Sequence, residues 1–180
     1  MNKQLLKNFI IDIAVSIGLA LVLLTFIRPT IVNGASMEDT LHDGDYMFMA
    51  RQAYRNHDPE KGDIVIIQST LDYEKSDKGK LIIKRVIGLP GDTVEIRDDT
   101  LYVNGEQIQE DYIKDGITPA GDIPAEGETL TVPEGSFFVL GDNRCNSTDS
   151  RSSEVGLITK EDIKGKVFLR LFPFTRIDLF

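Results

Sequence analysis

The sequence predicts a mainly β domain, barrel-like or a β-sandwich, preceded by one N-terminal transmembrane helix. Three observations point there. An apolar run of about 19 residues, Phe9 to Ile27, lies near the start of the chain. Beyond it no long stretch repeats its apolar residues at the helical period. Short β-prone runs recur instead between turn signals, as in many-stranded β folds.

The apolar run is interrupted only by Asp12, Ser16, Gly18 and Thr25. At 1.5 Å per residue it reaches about 28 Å, close to the roughly 30 Å of a bilayer's hydrocarbon core. It ends in Ile27-Arg28-Pro29, without the small-x-small pattern of a cleavable signal peptide. Lys3 and Lys7 precede it and Arg28 follows, so the charge bias favours a cytoplasmic N-terminus. Asp12 lies near the start of the run, where water and headgroups are within reach. The expected organisation is a cytoplasmic segment 1–8, an anchor 9–27 in the lipid bilayer of the cell membrane, and an extracytoplasmic β-rich domain 28–180.

Candidate strands are Tyr46–Ala50, Asp63–Gln68, Leu81–Gly88, Thr93–Ile96, Leu101–Val103, Thr129–Val132, Phe137–Leu140 and Lys166–Leu171. Leu89-Pro90-Gly91-Asp92, Asn104-Gly105 and Pro133-Glu134-Gly135 read as turns. Ser69–Lys80 and Glu110–Glu128 read as polar loops, and Thr159 as the cap of a short helix or turn through Ile163. Hydrophobic residues make up 41% of the 180, enough for a packed core. The net charge is −9, and three of the basic residues but only one acidic residue lie at or before Arg28. So acidic a domain is a poor match to nucleic acid, which needs clustered Lys and Arg. Cys145 is the single cysteine, which excludes an intrachain disulfide. No metal-ligand cluster is apparent and no cofactor is expected.

Four patches carry candidate chemistry: residues 34–41, 61–65, 84–92 and 141–151. Ser36 is a poor nucleophile unless a base takes its proton. Two bases compete. His42, followed by Asp43, and His57, in a charged turn, leave a Ser–His–Asp arrangement open by count, although neither has an orienting context. Lys84 lies between Ile83 and Arg85, and strand alternation puts Ile82, Lys84 and Val86 on one face with Arg85 on the other. On an inward face such a lysine is desolvated, which favours the neutral amine a general base requires. On an outward face it would be an ordinary surface lysine.

Together the patches resemble the ordered boxes of type I signal peptidases, Ser–Lys proteases with an N-terminal anchor. The family's Ser-Met-x-Pro-Thr-Leu appears as Ser36-Met37-Glu38-Asp39-Thr40-Leu41. Lys-Arg-Val-x-Gly-x-Pro-Gly-Asp is matched by Lys84 to Asp92, and Gly-Asp-Asn-Arg-x-x-Ser-x-Asp-Ser-Arg by Gly141 to Arg151. The resemblance implies Ser36 as nucleophile, Lys84 as general base and Ser147 as the hydroxyl that orients the lysine. It implies a substrate and oxyanion region at Gly34, Met37, Leu41, Ile82 and Ile83, and bracing by charge pairs among Asp142, Arg144, Asp149 and Arg151. The implied reaction is removal of signal peptides from secreted preproteins after small residues at −1 and −3, through an acyl-enzyme. One departure stands out: Asp39 occupies the family's proline position. Restoring the family's proline by Asp39→Pro is expected to be tolerated, and to raise activity where it lowers the entropy of the loop. Other readings fit less well. A self-cleaving repressor-type Ser–Lys protease would carry a DNA-binding helical domain where this chain has its apolar run. A non-catalytic binding domain would not need Ser36, Lys84 and Ser147 together.

Overall fold

Residues 3–69 and 80–180 are described by the computed structural model. The first element is α1, Lys3–Phe26, a 24-residue helix with no buried residue. At 1.5 Å per residue it is about 36 Å long. Among the described residues it is the one helix long and apolar enough to cross a membrane. The expected run began later and included Ile27, but that residue opens the first strand. Lys3, Leu5, Leu6 and Lys7 extend the helix as good helix formers, whereas Pro29 fixes an extended backbone after it.

Among the described residues twelve strands follow: β1 Ile27–Ile31, β2 Tyr46–Ala50, β3 Ile64–Ser69, β4 Lys80–Gly88, β5 Thr93–Arg97, β6 Thr100–Val103, β7 Glu106–Gln107, β8 Thr129–Thr131, β9 Ser136–Leu140, β10 Ile158–Thr159, β11 Ile163–Phe172 and β12 Asp178–Leu179. All eight expected strands are present, Tyr46–Ala50 unchanged and the others with ends moved by at most three residues. The larger sheet runs β1-β2-β11-β3-β4-β9-β10, with β12 added to β11. The smaller runs β7-β6-β5-β8. The mainly β class therefore holds, but the ladder is open and does not close into a barrel.

The four unexpected strands share a reason. β7, β10 and β12 have two residues each, too short to show alternation. β1 contains Pro29, which lacks the donor an inner strand needs; β1 is an edge strand paired only with β2. Asn104 and Gly105 form the expected hairpin turn, both at positive φ, 56° and 78°. Asp98 and Asp99 make a second such turn, with φ of 48° and 54°. Thr159 caps a short 3-10 turn, Lys160–Asp162: its N–H and hydroxyl both donate to Asp162 Oδ2, at 3.0 and 2.7 Å. Of the expected loop Ser69–Lys80, residues 70–79 lie outside the described residues.

β3 explains why the core is continuous. Ile64 and Ile66 enter one cluster with Val32, Met37, Leu41, Met47 and Met49. Val65 and Ile67 enter another with Tyr54, Val86, Phe137 and Val139. Each such side chain contributes roughly 1.5–3 kcal/mol on burial. A third cluster, around Phe138, Val94, Ile96 and Leu101, fills the space between β9 and the smaller sheet. Both faces of β3 through Ile64–Ile67, and of β4 from Lys84 to Gly88, are thus inside the protein. Gly165 lets β11 pass between β2 and β3, because a Cβ there would stand 2.6 Å from the Ala50 carbonyl oxygen.

Backbone cannot yield as a side chain would, so Gly165→Ala should destabilise the domain by roughly 1–3 kcal/mol, the usual cost of overpacking. Thermal unfolding measures this, with an equal midpoint ruling out the close passage.

Candidate active site

The first box leaves β1 through Val32 and folds as a series of turns. Gly34 has φ of 105°, a conformation L side chains rarely adopt, and its N–H donates to Asp43 Oδ1 at 2.8 Å. Leu41 N–H donates to the Met37 carbonyl at 2.7 Å, so residues 37–41 form a single compact turn. Met37 and Leu41 drop into the core below, and Ser36 is left on the upper side.

β4 brings in the lysine. Its register against β3 sets Lys84 opposite Val65 and Ile83 opposite Ile66. Lys84 accordingly shares a face with Ile82 and Val86, as alternation predicts. It is 2% exposed, and its Nζ lies 2.7 Å from Ser36 Oγ. The choice between an inward and an outward lysine thus falls to the inward one, since β4 has no outward face here.

Neither histidine is near this pair's chemistry. His42 Nδ1 is engaged by Arg176, and His57 Nδ1 lies 2.9 Å from the Asp58 carbonyl while its ring meets Tyr54 edge-on. The Ser–His–Asp alternative therefore has no geometric basis.

The last box supports Ser36 from behind. Asn143 N–H donates to the Ser36 carbonyl at 3.1 Å, and Asn143 Nδ2 donates to the Ala35 carbonyl at 3.0 Å. Gly141 makes that approach possible. A Cβ on it would stand 2.2 Å from Ser147 Oγ and 2.4 Å from the Ser36 carbonyl oxygen. Ser147 Oγ is buried and makes no hydrogen bond, so it does not touch the Lys84 amine in this structure. The Ser36 N–H likewise donates to no group among the described residues.

The four expected bracing residues do pair, but with partners that the box itself only partly supplies. Asp149 is held by Arg151, with Nε 2.9 Å from Oδ1 and Nη2 2.9 Å from Oδ2, and accepts the Gly141 N–H at 3.0 Å. Asp142 takes the fork of Arg85, at 2.9 and 2.6 Å, and the Thr40 hydroxyl at 2.5 Å. Arg144 forks onto Glu110, at 2.8 and 2.5 Å, and reaches Thr118 at 2.6 Å. Arg85 also stacks over the Tyr112 ring, 3.9 Å from its centroid. Glu110, Tyr112 and Thr118 come from a stretch that looks like an ordinary polar loop, and nothing in the sequence marks them. Arg85, Gly141 and Asn143 sit inside the boxes, where the resemblance gave them no role.

Burial alone would push the Asp149 carboxyl up. The Arg151 guanidinium, followed by the Gly141 N–H, outweighs that and holds it below the usual carboxylate range. Ser147 adds polarity in the same direction, although its hydroxyl falls outside hydrogen-bond geometry.

A cleft of about 450 Å³ opens at Ser36, between Thr30–Met37 on one side and Leu81–Lys84 on the other. Gly34, Met37, Ile82 and Ile83 line it, together with Asn146 and Thr148. Leu41 does not. It is fully buried beneath Met37 and belongs to the core rather than to the cleft wall. Asp39 has φ of 84°, which overturns the expectation that proline would be tolerated there: the proline ring fixes φ near −65°. Among the described residues no group of three or more His, Cys, Asp or Glu is placed to hold a metal.

A serine hydroxyl against a buried lysine, at the floor of a cleft on an open β scaffold, belongs with peptidases. Residues 5–172 match the family model described as signal peptidase, peptidase S26, and the chain belongs to that family. It is a hydrolase of the signal peptidase I kind. It is 39% identical to signal peptidase I of Bacillus licheniformis over 98% of this chain and 94% of that one. It is 37% identical to signal peptidase IB of Staphylococcus aureus, over 97% and 93%. A crystal structure of a signal peptidase I from Enterococcus faecalis is 37% identical, covers 61% of this chain and 96% of its own, and has a TM-score of 0.46.

Two outcomes follow from this geometry. Asp39→Gly should keep the fold and the activity, whereas Asp39→Pro should lose at least about 1 kcal/mol of stability, as an incompatible φ does; equal melting points for the two would contradict the left-handed backbone. The Asp149 carboxylate should contribute stability that is fully present above about pH 4, its unfolded value, and is lost as pH falls through the lower folded value. Denaturant titrations against pH should show the gap between wild type and Asp149→Asn closing only on that acid side.

Proposed function

We propose that this chain is anchored by α1 and removes signal peptides from secreted preproteins on the outer side of the cell membrane, with Ser36 and Lys84 as a catalytic dyad. Residues 1–8 would remain in the cytoplasm and 28–180 would form the extracytoplasmic peptidase domain. The observation that carries this reading is the 2.7 Å contact between Ser36 Oγ and a lysine amine that is 2% exposed. Support also comes from its relatives, which are signal peptidases I.

In the reaction Ser36 Oγ attacks the scissile carbonyl carbon and its proton passes to Lys84 Nζ. The tetrahedral oxyanion takes the unused Ser36 N–H. The C–N bond then breaks, the leaving amine receives the proton from Lys84, and the signal peptide remains as an ester on Ser36. Water then adds to the ester carbonyl as its proton passes to Lys84; the C–O bond to Ser36 breaks, Ser36 Oγ takes that proton back from Lys84, and the signal peptide leaves with a free carboxyl group. Ser147 acts as the positioning hydroxyl: it is close behind Ser36, buried, and has no other bond to give up. The substrate lies extended in the cleft, as an added strand. Met37, Ile82 and Ile83 form its shallow apolar wall, which suits small residues at −1 and −3. No cofactor enters any step, and the acidic domain is not a nucleic-acid binder.

Cleavage of a preprotein by the detergent-solubilised enzyme tests the proposal. Ser36→Ala and Lys84→Ala should each bring turnover to background while the protein stays folded, and the double variant should be little worse, since the two act as a unit. Lys84→Arg should be inactive at every pH, because a guanidinium does not give up its proton. Ser147→Ala should lose about 10- to 1,000-fold, as for a missing positioning contact. Substantial activity in Lys84→Ala or Lys84→Arg would exclude the dyad.

A further inference from the structure

Beyond β11 the chain turns back upon the serine segment. Pro173 and the 3-10 turn Phe174–Arg176 lead into β12, which pairs antiparallel with β11 through Leu169 with Leu179 and Arg170 with Asp178. Phe174, Ile177 and Leu179 face solvent from this return. Its cations point the other way. Arg176 Nη2 donates to Asp45 Oδ1 at 2.9 Å, and Arg176 Nη1 faces His42 Nδ1. That second contact needs the lone pair of a neutral imidazole. Arg170 Nε donates to the Arg176 carbonyl at 2.5 Å, Nη1 donates to the Thr40 carbonyl, and the same group stands 3.7 Å from Asp45 Oδ2. Phe180 completes the return, packing on the core cluster that contains Met37 and Leu41.

Apart from the Arg176 carbonyl, the receiving groups named above belong to the segment that carries Ser36. Asp45 is 1% exposed, and its Oδ2 accepts the His42 N–H at 2.9 Å. Thr40 is held at both ends, its carbonyl by Arg170 and its hydroxyl by Asp142. Residues 34–45 are otherwise turns, without a strand ladder to fix them. Core packing of Met37 and Leu41 and the ties of residues 32–34 to 43–45 hold them from within; from outside they are supported by residues 141–143 on one side and the return after β11 on the other.

We propose that Arg176, with Arg170, is a positioning residue for signal-peptide cleavage: through Asp45, His42 and Thr40 it holds the serine turn at its working distance from Lys84. This rests on the Ser36–Lys84 reading above. Arg176 is a partly exposed side chain at 38%, and Arg170 remains 3.7 Å from the buried Asp45 carboxylate when Arg176 is removed, so that carboxylate is not left without a cation. The effect of that removal should fall on the chemical step, where small displacements are costly.

The test compares wild type, Arg176→Ala, Arg176→Lys, Ser36→Ala and, as a distant surface control, Arg97→Ala. Preprotein cleavage gives kcat and KM, and hydrogen exchange gives the protection of residues 38–45. Arg176→Ala should lower kcat about 10- to 100-fold, the scale of a displaced reacting group, with KM changed far less. Exchange should quicken in residues 38–45 and not elsewhere. Arg176→Lys should recover part of kcat, keeping the charge on Asp45 and losing the second donor. Arg97→Ala should match wild type. Unchanged kcat and unchanged exchange in Arg176→Ala would overturn the proposal, as would faster exchange throughout the domain, which marks a stability role. Activity persisting in Ser36→Ala would instead overturn the dyad, and the exchange data would still judge the support of residues 38–45 by itself.

Discussion

A lysine amine packed inside the sheet and touching a serine hydroxyl is the constraint around which this protein is built. Burial disfavours a charged amine, and a base must be uncharged to accept a proton. β4 is an inner strand, with β3 on one side and β9 on the other, and the base proposed above would draw on the burial this gives. Lys84 inherits a position that an apolar residue would ordinarily occupy. Its long stem then reaches out of that layer to Ser36, which comes from a turn and not from the sheet.

Turns are less rigid than strands, so the serine needs support from elsewhere. Asn143 holds the main chain at Ala35 and Ser36, and Thr40 is tied to Asp142. The carboxylates in this support are each matched by an arginine: Asp142 by Arg85, Asp149 by Arg151 and Glu110 by Arg144. Such pairs, buried as they are, would be costly to break, because the partner left behind would be an unmatched charge. Their work is placement. Arg85 and Lys84 are neighbours in sequence with opposite tasks, separated by strand alternation onto opposite faces.

Much of this was legible in the sequence, for physical reasons that can be named. Strands of four or more residues showed themselves by β-branched and aromatic content, and the ordered boxes drew attention to Ser36, Lys84 and Ser147, of which the first two stand in contact. Pro29 hid β1, and two-residue strands hid themselves. Leu41 and Met37 look alike as apolar neighbours of the serine. Only the turn geometry drops Leu41 fully into the core while Met37 keeps contact with the cleft. The positive φ of Asp39 was also out of sight, because aspartate tolerates either hand of backbone. Glu110 and Arg176 act through contacts distant in sequence, with Arg144 and with His42 and Asp45, and no local pattern reports such pairs.

The central claim is that Ser36 becomes acylated because Lys84 takes its proton. Rapid acid quenching during preprotein cleavage, followed by digestion and mass spectrometry, tests it at the bond itself. The account predicts a signal-peptide ester on Ser36 in the wild-type enzyme and none in Lys84→Ala. An ester or thioester on another residue, such as the exposed Cys145, or an undiminished Ser36 adduct without Lys84, would contradict it.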